Sequence, residues 1–335
     1  MIRKISLILI TIAASSILFL SCNDKKKVAE EEKEITLVMA EVNAPDSISG
    51  RMDQAFKEKV EELSKGKIKI DLQCSGVLGD NKSVREIMSK PGSSIQITRQ
   101  GPIAELSSTY SLLIVPYTFR NHEHFWNFAN SDTAQKLLEK PREEGKSMIG
   151  LFYGEEGFRN LFSTKKITSA KDFEGLSMRV TGEKTNQTLA TSLKMNKKEI
   201  KFAKLYEALS TGEADVADQP LANYLTGHFN EVAPNVILNS HQLGIMITYI
   251  TTECWDSLTP NQQKILREAG KYASEYCRKI SEEGEENALK EIQSKGVTVV
   301  KVDDITPYKE GFKDYIKEAT SSNPELYQEI LSYAK

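Results

Sequence analysis

The chain has 335 residues, of which 39% are hydrophobic and 27% charged, with 44 Lys and Arg against 47 Asp and Glu for a net charge of −3. That length sets an expectation of about two domains, and the mildly acidic balance argues against a nucleic-acid footprint. Four cysteines, 19 glycines and 10 prolines exclude both a disulfide-rich scaffold and a low-complexity chain.

Arg3 and Lys4 precede an apolar run from Ile5 to Leu20, followed by Ser21 and Cys22. Charge, apolar core and small residue in that order form a secretory signal over residues 1–21. The run is shorter than the roughly 20 residues a spanning helix needs. Leu18-Phe19-Leu20-Ser21-Cys22 resembles a bacterial lipobox, in which the cysteine is lipidated and becomes the new N-terminus. Cys22 is therefore the expected lipidation site and would hold the protein on a membrane. Residues 22–34, with Lys25-Lys26-Lys27 and Glu30-Glu31-Glu32, bury no apolar surface and form an expected tether. Cleavage before Cys22 removes Arg3 and Lys4 and no acid, leaving 42 basic against 47 acidic residues, or −5. At most one disulfide can join the remaining Cys74, Cys254 and Cys277.

The body alternates strand and helix signals. Ile35 to Met39 is β-rich and alternating. Asp46 to Lys65 has helical spacing, with Met52, Phe56, Val60 and Leu63 on one stripe and Gly66 as terminator. Lys67 to Leu72 alternates as a second strand, Asn81 to Ser89 is a helix, and Ser94 to Thr98 is a third strand. This order predicts an α/β fold with helices on both faces of a sheet. Thr259-Pro260-Asn261-Gln262 combines a cap, a first-turn proline and a capping-box glutamine. A helix from Pro260 to Lys295 would be on the order of 54 Å long, enough to bridge two domains. The competing pattern is two helices broken near Gly284.

Catalytic signatures are absent from the sequence. Gly145-Lys146-Ser147 lacks the upstream glycine of a phosphate loop, because Lys140 stands there. His122-Glu123-His124 lacks the spacing that puts two histidines on one helical face, and is expected to be a solvated turn. His228 and His241 are expected to be structural. No nucleophile elbow, dinucleotide fingerprint or cysteine pair at metal-ligand spacing occurs, so no enzyme, cofactor or metal is expected.

Five stretches in chain order resemble one family. Ser64 to Ile70 leads to Leu78-Gly79-Asp80, Val115 to His124 contains a V-P-Y-T-F run, and Gly157-Phe158-Arg159 follows. Asp172 to Val180 reads D-F-E-G-L-S-M-R-V, and Phe202 to Asp215 reads F-A-K-L-Y-E-A-L-S-T-G-E-A-D. Together they resemble the periplasmic solute-binding subunit of TRAP transporters, the four-carbon dicarboxylate-binding protein family. The resemblance spans roughly Ile35 to the C-terminus.

It implies a two-lobed periplasmic binding fold with crossing strands, here near Met148 to Phe152 and Ile245 to Ile250, and one long helix spanning both lobes. The expected lobes are 35–153 with 243–285, and 154–242 with 286–335. The implied function is capture of a small organic acid in the interlobe cleft and delivery to TRAP membrane permease subunits, with lobe closure about a hinge. Some branches also use a tetratricopeptide-repeat partner. The alternative is a non-transport lipoprotein on the same fold: a sensor, a partner-binding protein or an enzyme.

The resemblance makes Arg179 the carboxylate anchor, since a guanidinium fork donates two parallel hydrogen bonds to one carboxylate. Arg159 matches a second arginine and Phe202 a cleft aromatic that could equally be core. Gln219 stands where the family has Asn. Arg99 follows Thr98 where some relatives place a ligand-contacting acid, and Lys204 and Val216 also depart from the pattern. Arg99 is either a third positive group suited to a dicarboxylate, or a sign that the far pocket is rebuilt for a monocarboxylate with an apolar tail. Erosion of the family's other polar positions favours the second.

Overall fold

The computed structural model describes residues 33–334. The signal segment, the lipobox cysteine and most of the expected tether lie outside the described residues. Residues Glu34–Lys335 form one compact unit.

Nine strands make one sheet: β1 (Ile35–Ala40), β2 (Ile68–Gln73), β3 (Ile97–Gln100), β4 (Met148–Ser163), β5 (Ser177–Val180), β6 (Asn196–Glu199), β7 (Val216–Pro220), β8 (Asn235–Thr251) and β9 (Thr298–Lys301). Their order is β2-β1-β3-β8-β4-β7-β5-β6, with β9 paired to β8. β1, β2 and β3 are mutually parallel, as are β5, β6 and β7. The antiparallel pair β4 and β8 forms the seam between these two groups. At 16 and 17 residues they are far longer than the other strands. The short crossings expected at Met148 to Phe152 and Ile245 to Ile250 are thus only one end of each strand. Register shifts at Gly150/Phe152, Glu155/Phe158 and Arg159/Leu161 interrupt the ladder. The first two add one residue each to β4 and the third adds three to β8; each odd insertion flips the alternation, so the pattern in the sequence breaks although the strand continues.

The helices begin where side chains can cap them. Ser47 accepts from Gly50 N ahead of the Ile48–Leu63 helix, and Asp80 accepts from Ser83 N ahead of Asn81–Met88. Gly66 takes φ +78°, the left-handed geometry that ends the first of these without a Cβ penalty. The third strand starts at Ile97, later than the sequence suggests. Gln96 Oε1 accepts from Val38 N at 2.9 Å, so a side chain replaces a ladder carbonyl just before the strand.

Pro260–Ser294 is one helix of 35 residues with both halves of the Thr259/Gln262 capping box formed. It runs unbroken through Gly284, where an added Cβ would only touch Ile48 Cδ1 at 3.7 Å. Gly270 is the tighter position, because a Cβ there would lie 2.6 Å from Phe152 Cδ1.

The buried side chains form three clusters. The first contains Met39, Phe56, Ile97, Phe125, Phe152, Ile247, Leu266 and Cys277. The second is built on Leu161, Met178, Leu189 and Phe312, and the third on Phe162, Leu205, Tyr224 and Ile292. The long helix enters the first cluster through Ile265 to Ile280 and the third through Ala288 and Ile292. Leu326 and Ile330 from the C-terminal helix Pro324–Ser332 return to the first cluster.

Candidate ligand-binding site

Arg179 lies on β5 between Met178 and Val180, both buried. The side chain is turned inward, leaving the residue 5% exposed. Its Nε donates to Ile200 O at 2.9 Å. Among the described residues no carboxylate lies within salt-bridge distance of it. Burial pulls the guanidinium down to about 10; Asp218 and Glu183 support its charge from farther off and Arg159 opposes it. Arg179 therefore remains cationic at neutral pH, with no counter-ion in contact.

Arg159 on β4 is held differently. Its Nε donates to Asp218 Oδ2 at 2.6 Å and its Nη2 to Asp218 O at 2.8 Å. The register pairs Arg159 with Pro220 and Asn160 with Gln219, which places Asp218 one pleat away on β7. Asp218 also receives Asn186 Nδ2 at 2.8 Å and faces His241 Nε2 at 3.3 Å. Burial opposes ionisation of Asp218, but Arg159 and His241 outweigh it and hold the carboxyl well below the usual range. Arg159 is thus part of a fixed, neutralised pair, and Arg179 is free.

Glu183 stands beside this pair. Burial raises its carboxyl to about 7, with Glu105 and Asp218 adding to the rise and Arg159 and Arg179 opposing it. Gln219 is buried on β7. Phe202 is half-buried and packs against the third cluster, with its ring 6.2 Å from that of Phe229.

Across the sheet, Thr98 is buried and donates to Ala40 O at 3.1 Å. Arg99 is 3% exposed and forks onto Glu41, with Nε donating to Oε2 at 2.6 Å and Nη2 to Oε1. Arg99 is thus already neutralised by an acid 58 residues away in sequence. Asp53 completes the cluster; burial and the Glu41 carboxylate hold its carboxyl well above the usual range. Glu156 on β4 accepts from Asn43 Nδ2 at 3.0 Å and from Asn223 Nδ2 at 3.1 Å, and lies 3.9 Å from Arg99 Nη1. Burial raises its carboxyl, opposed by Arg99 and Arg159 and reinforced by Glu41.

The His122 region corrects the expectation of a solvated turn. Asn121 caps a helix over His122–Ala129, and His124 is buried with Nε2 2.9 Å from Ile330 O. His122 sits between two acids, Nδ1 2.8 Å from Glu155 Oε1 and Nε2 2.9 Å from Glu285 Oε2. Burial opposes its charge, but the two carboxylates raise it to about 10. Sequence spacing tested only for a metal pair and could not see partners 33 and 163 residues away. Asp218, His241, Glu183 and Glu156 were missed for the same reason. Among the described residues no His, Cys, Asp and Glu grouping fits a metal ion.

A buried arginine in want of an anion, on a sheet whose two parallel strand groups meet at a long antiparallel seam, fits a site for carboxylates. The profile of the bacterial extracellular solute-binding proteins, family 7 (DctP), matches residues 39–323. The chain belongs to this family. It is 24% identical over 267 residues to the C4-dicarboxylate-binding periplasmic protein DctP of Rhodobacter capsulatus, covering 79% of each chain. A TRAP solute-binding protein of Pseudomonas putida F1 with bound D-glucuronate superposes with a TM-score of 0.83 at 21% identity, covering 88% of this chain and 96% of that one. The sugar-acid-binding protein of Advenella mimigardefordensis, in complex with galactonate, gives 0.82 at 25% identity, covering 90% and 98%. The two-lobed α/β fold of TRAP periplasmic binding proteins is therefore this chain's fold. Proteins of this family are extracytoplasmic, bind small carboxylates and work with membrane permeases.

Proposed function

We propose that this TRAP solute-binding protein captures a hydroxylated monocarboxylate, with Arg179 as the carboxylate anchor and Arg159 beside it. The observation that carries the reading is Arg179 itself, 5% exposed and without an acid in contact. A buried cation without a partner is costly, and a bound carboxylate would relieve the cost. Arg159 is held in place by Asp218, Asn186 and His241.

The chemistry of the far end argues against a second carboxylate. Arg99 is occupied by Glu41, and Glu156 adds a further acid. An anionic tail there would meet like charge. The side chains at hand are hydrogen-bonding ones, Thr98, Gln100, Asn43 and Asn223, which suit hydroxyls better than the apolar tail favoured from the sequence. The sugar acids held by the Pseudomonas and Advenella proteins have this chemistry.

The lobes in this reading comprise 35–153 with 243–285, and 154–242 with 286–335, the last helix docking back on the first lobe. Gln219 and Phe202 would edge the second-lobe wall of the cleft. Cys22 would carry a lipid anchor, and a tetratricopeptide-repeat protein would be an accessory partner. Thermal shift and calorimetry with galactonate, D-glucuronate and succinate test the reading. Binding of either sugar acid at least about tenfold tighter than succinate is expected. Preference for succinate would refute the hydroxylated tail, and full retention of affinity in Arg179→Ala would refute the anchor.

A further inference from the structure

Glu155 and Glu156 are consecutive on β4 but serve opposite faces of the sheet, as strand geometry requires. Glu155 is fully buried and tied down on one side. His122, Trp126 Nε1 at 3.4 Å and Gly157 N at 2.6 Å all engage it, and His122 carries the tie onward to Glu285 on the long helix. Glu156 is buried and reaches other partners. Its Oε1 is held by Asn43, in the loop after β1, and its Oε2 by Asn223, on the helix Leu221–Thr226. Asn43 follows a strand of the first cluster, whereas Leu221 and Tyr224 on either side of Asn223 belong to the third.

The backbone at this point is built to bend. Gly157 takes φ +90° within the register shift between Glu155 and Phe158. Gly244 lies against it on β8, where a Cβ would come within 3.2 Å of Gly157 O and 3.5 Å of Glu156 Cβ. A bulge containing a left-handed glycine, facing a second glycine, leaves this level of the seam with two positions that have no side chain to resist rotation.

We propose that Glu156 is the positioning residue that couples the two lobes: one carboxylate joins Asn43 of the first lobe to Asn223 of the second, and both bonds coexist only when the cleft is closed. Opening the cleft takes at least one amide away from a carboxylate that is 8% exposed, which costs more than the loss of a surface hydrogen bond. Glu156 therefore sets the closed fraction and, through it, the apparent affinity for any solute, since affinity scales with the population of the competent state. Asn223 Oδ1 is buried without a hydrogen-bond partner among the described residues. It gives a conservative replacement a place to bond: a glutamine at 156 can accept from Asn43 through Oε1 and, once the Asn223 amide turns over, donate through Nε2 to Asn223 Oδ1.

The inference rests on the closing-cleft reading above, but its test needs no solute and so does not stand or fall with the choice of ligand. The mature chain is unfolded in urea as wild type, Asn43→Ala, Asn223→Ala and the double variant, then as the same set in a Glu156→Ala background. The two asparagines should be coupled by at least about threefold in the unfolding constant, and the coupling should vanish without Glu156. Additive effects in the wild-type background, or coupling that survives Glu156→Ala, overturn the proposal. In parallel, spin labels replace the exposed Lys82 and Ala203, which flank Asp80 and Lys201, whose side chains pair at 2.7 Å between the proposed lobes. The short-distance population should fall at least about threefold in Glu156→Ala and return in Glu156→Gln. An unchanged distribution in the alanine variant, or failure of glutamine to restore it, also overturns the proposal.

Discussion

Replacing Arg179 with methionine separates what the residue does for the fold from what it does for binding. The substitution keeps a long apolar stem and removes the charge. Burial lowers the guanidinium from its ordinary value to about 10. A lowered base prefers its neutral form in the folded state, so at pH 7, below both values, the full cost of keeping it charged is present and would be relieved only above about pH 10. The shift corresponds to about 3 kcal/mol, at 1.36 kcal/mol per unit. Loss of the hydrogen bond to Ile200 O offsets about 1 kcal/mol. The solute-free Arg179→Met protein should thus be more stable than wild type by about 2 kcal/mol, a rise in Tm of several degrees for a chain of this size. Binding should move the other way. Truncating one partner of a buried, hydrogen-bonded charge pair costs about 2–5 kcal/mol, so affinity for galactonate should fall at least about thirtyfold. Urea unfolding and calorimetry on the same preparation give both numbers. A variant less stable than wild type that still binds galactonate with unchanged affinity would refute the account of Arg179 as an unsatisfied cation waiting for an anion.

Other expectations follow from neighbouring groups. Arg99→Met should destabilise the protein by about 3–5 kcal/mol in urea unfolding, because it strands the buried Glu41 carboxylate; a neutral outcome would show that Glu41 has another route to charge balance. Glu183 has a raised carboxyl, so its contribution to stability is present below about pH 4.5 and lost as pH rises through about 7. The same ionisation adds negative charge near Arg179, so carboxylate affinity should fall about threefold between pH 6 and pH 8 and become flat in Glu183→Gln, as read by calorimetry at both pH values. Gly270→Ala should cost about 1–3 kcal/mol, since its Cβ would press on the Phe152 ring at 2.6 Å. An unchanged Tm would mean that the long helix can slide away from β4.

Local features of this fold could be read from the sequence because their causes are local. Thr259 caps the long helix that follows it, and Gly66 ends a helix in the conformation only glycine adopts freely. The continuity of the long helix followed from its apolar spacing, and Gly284 did not break it because it sits against Ile48. The crossing strands were only half visible, since three register shifts scramble an alternation that a reader of sequence must rely on. The proposed site was legible where the family motif points to its residues, at Arg159 and Arg179, and not where meaning depends on a distant partner. Arg99 reads as a spare positive charge in the sequence, whereas in the fold Glu41 lies beside it and neutralises it. Asp218 and His241 meet only because β7 and β8 both flank β4.

The return of Leu326 and Ile330 to the first cluster constrains how the protein is made. That cluster starts with Leu37 and Met39 on the first strand, so its earliest and latest members are nearly the whole chain apart. A polypeptide emerging N-terminus first cannot seal this core until Ile330 has arrived. Contacts of such sequence separation close slowly, and the apolar faces of β1 and of the Ile48–Leu63 helix stay uncovered meanwhile. Export of the chain and completion of its first lobe are therefore consecutive events, and the interval between them is when the protein is most open to proteases and to chaperones.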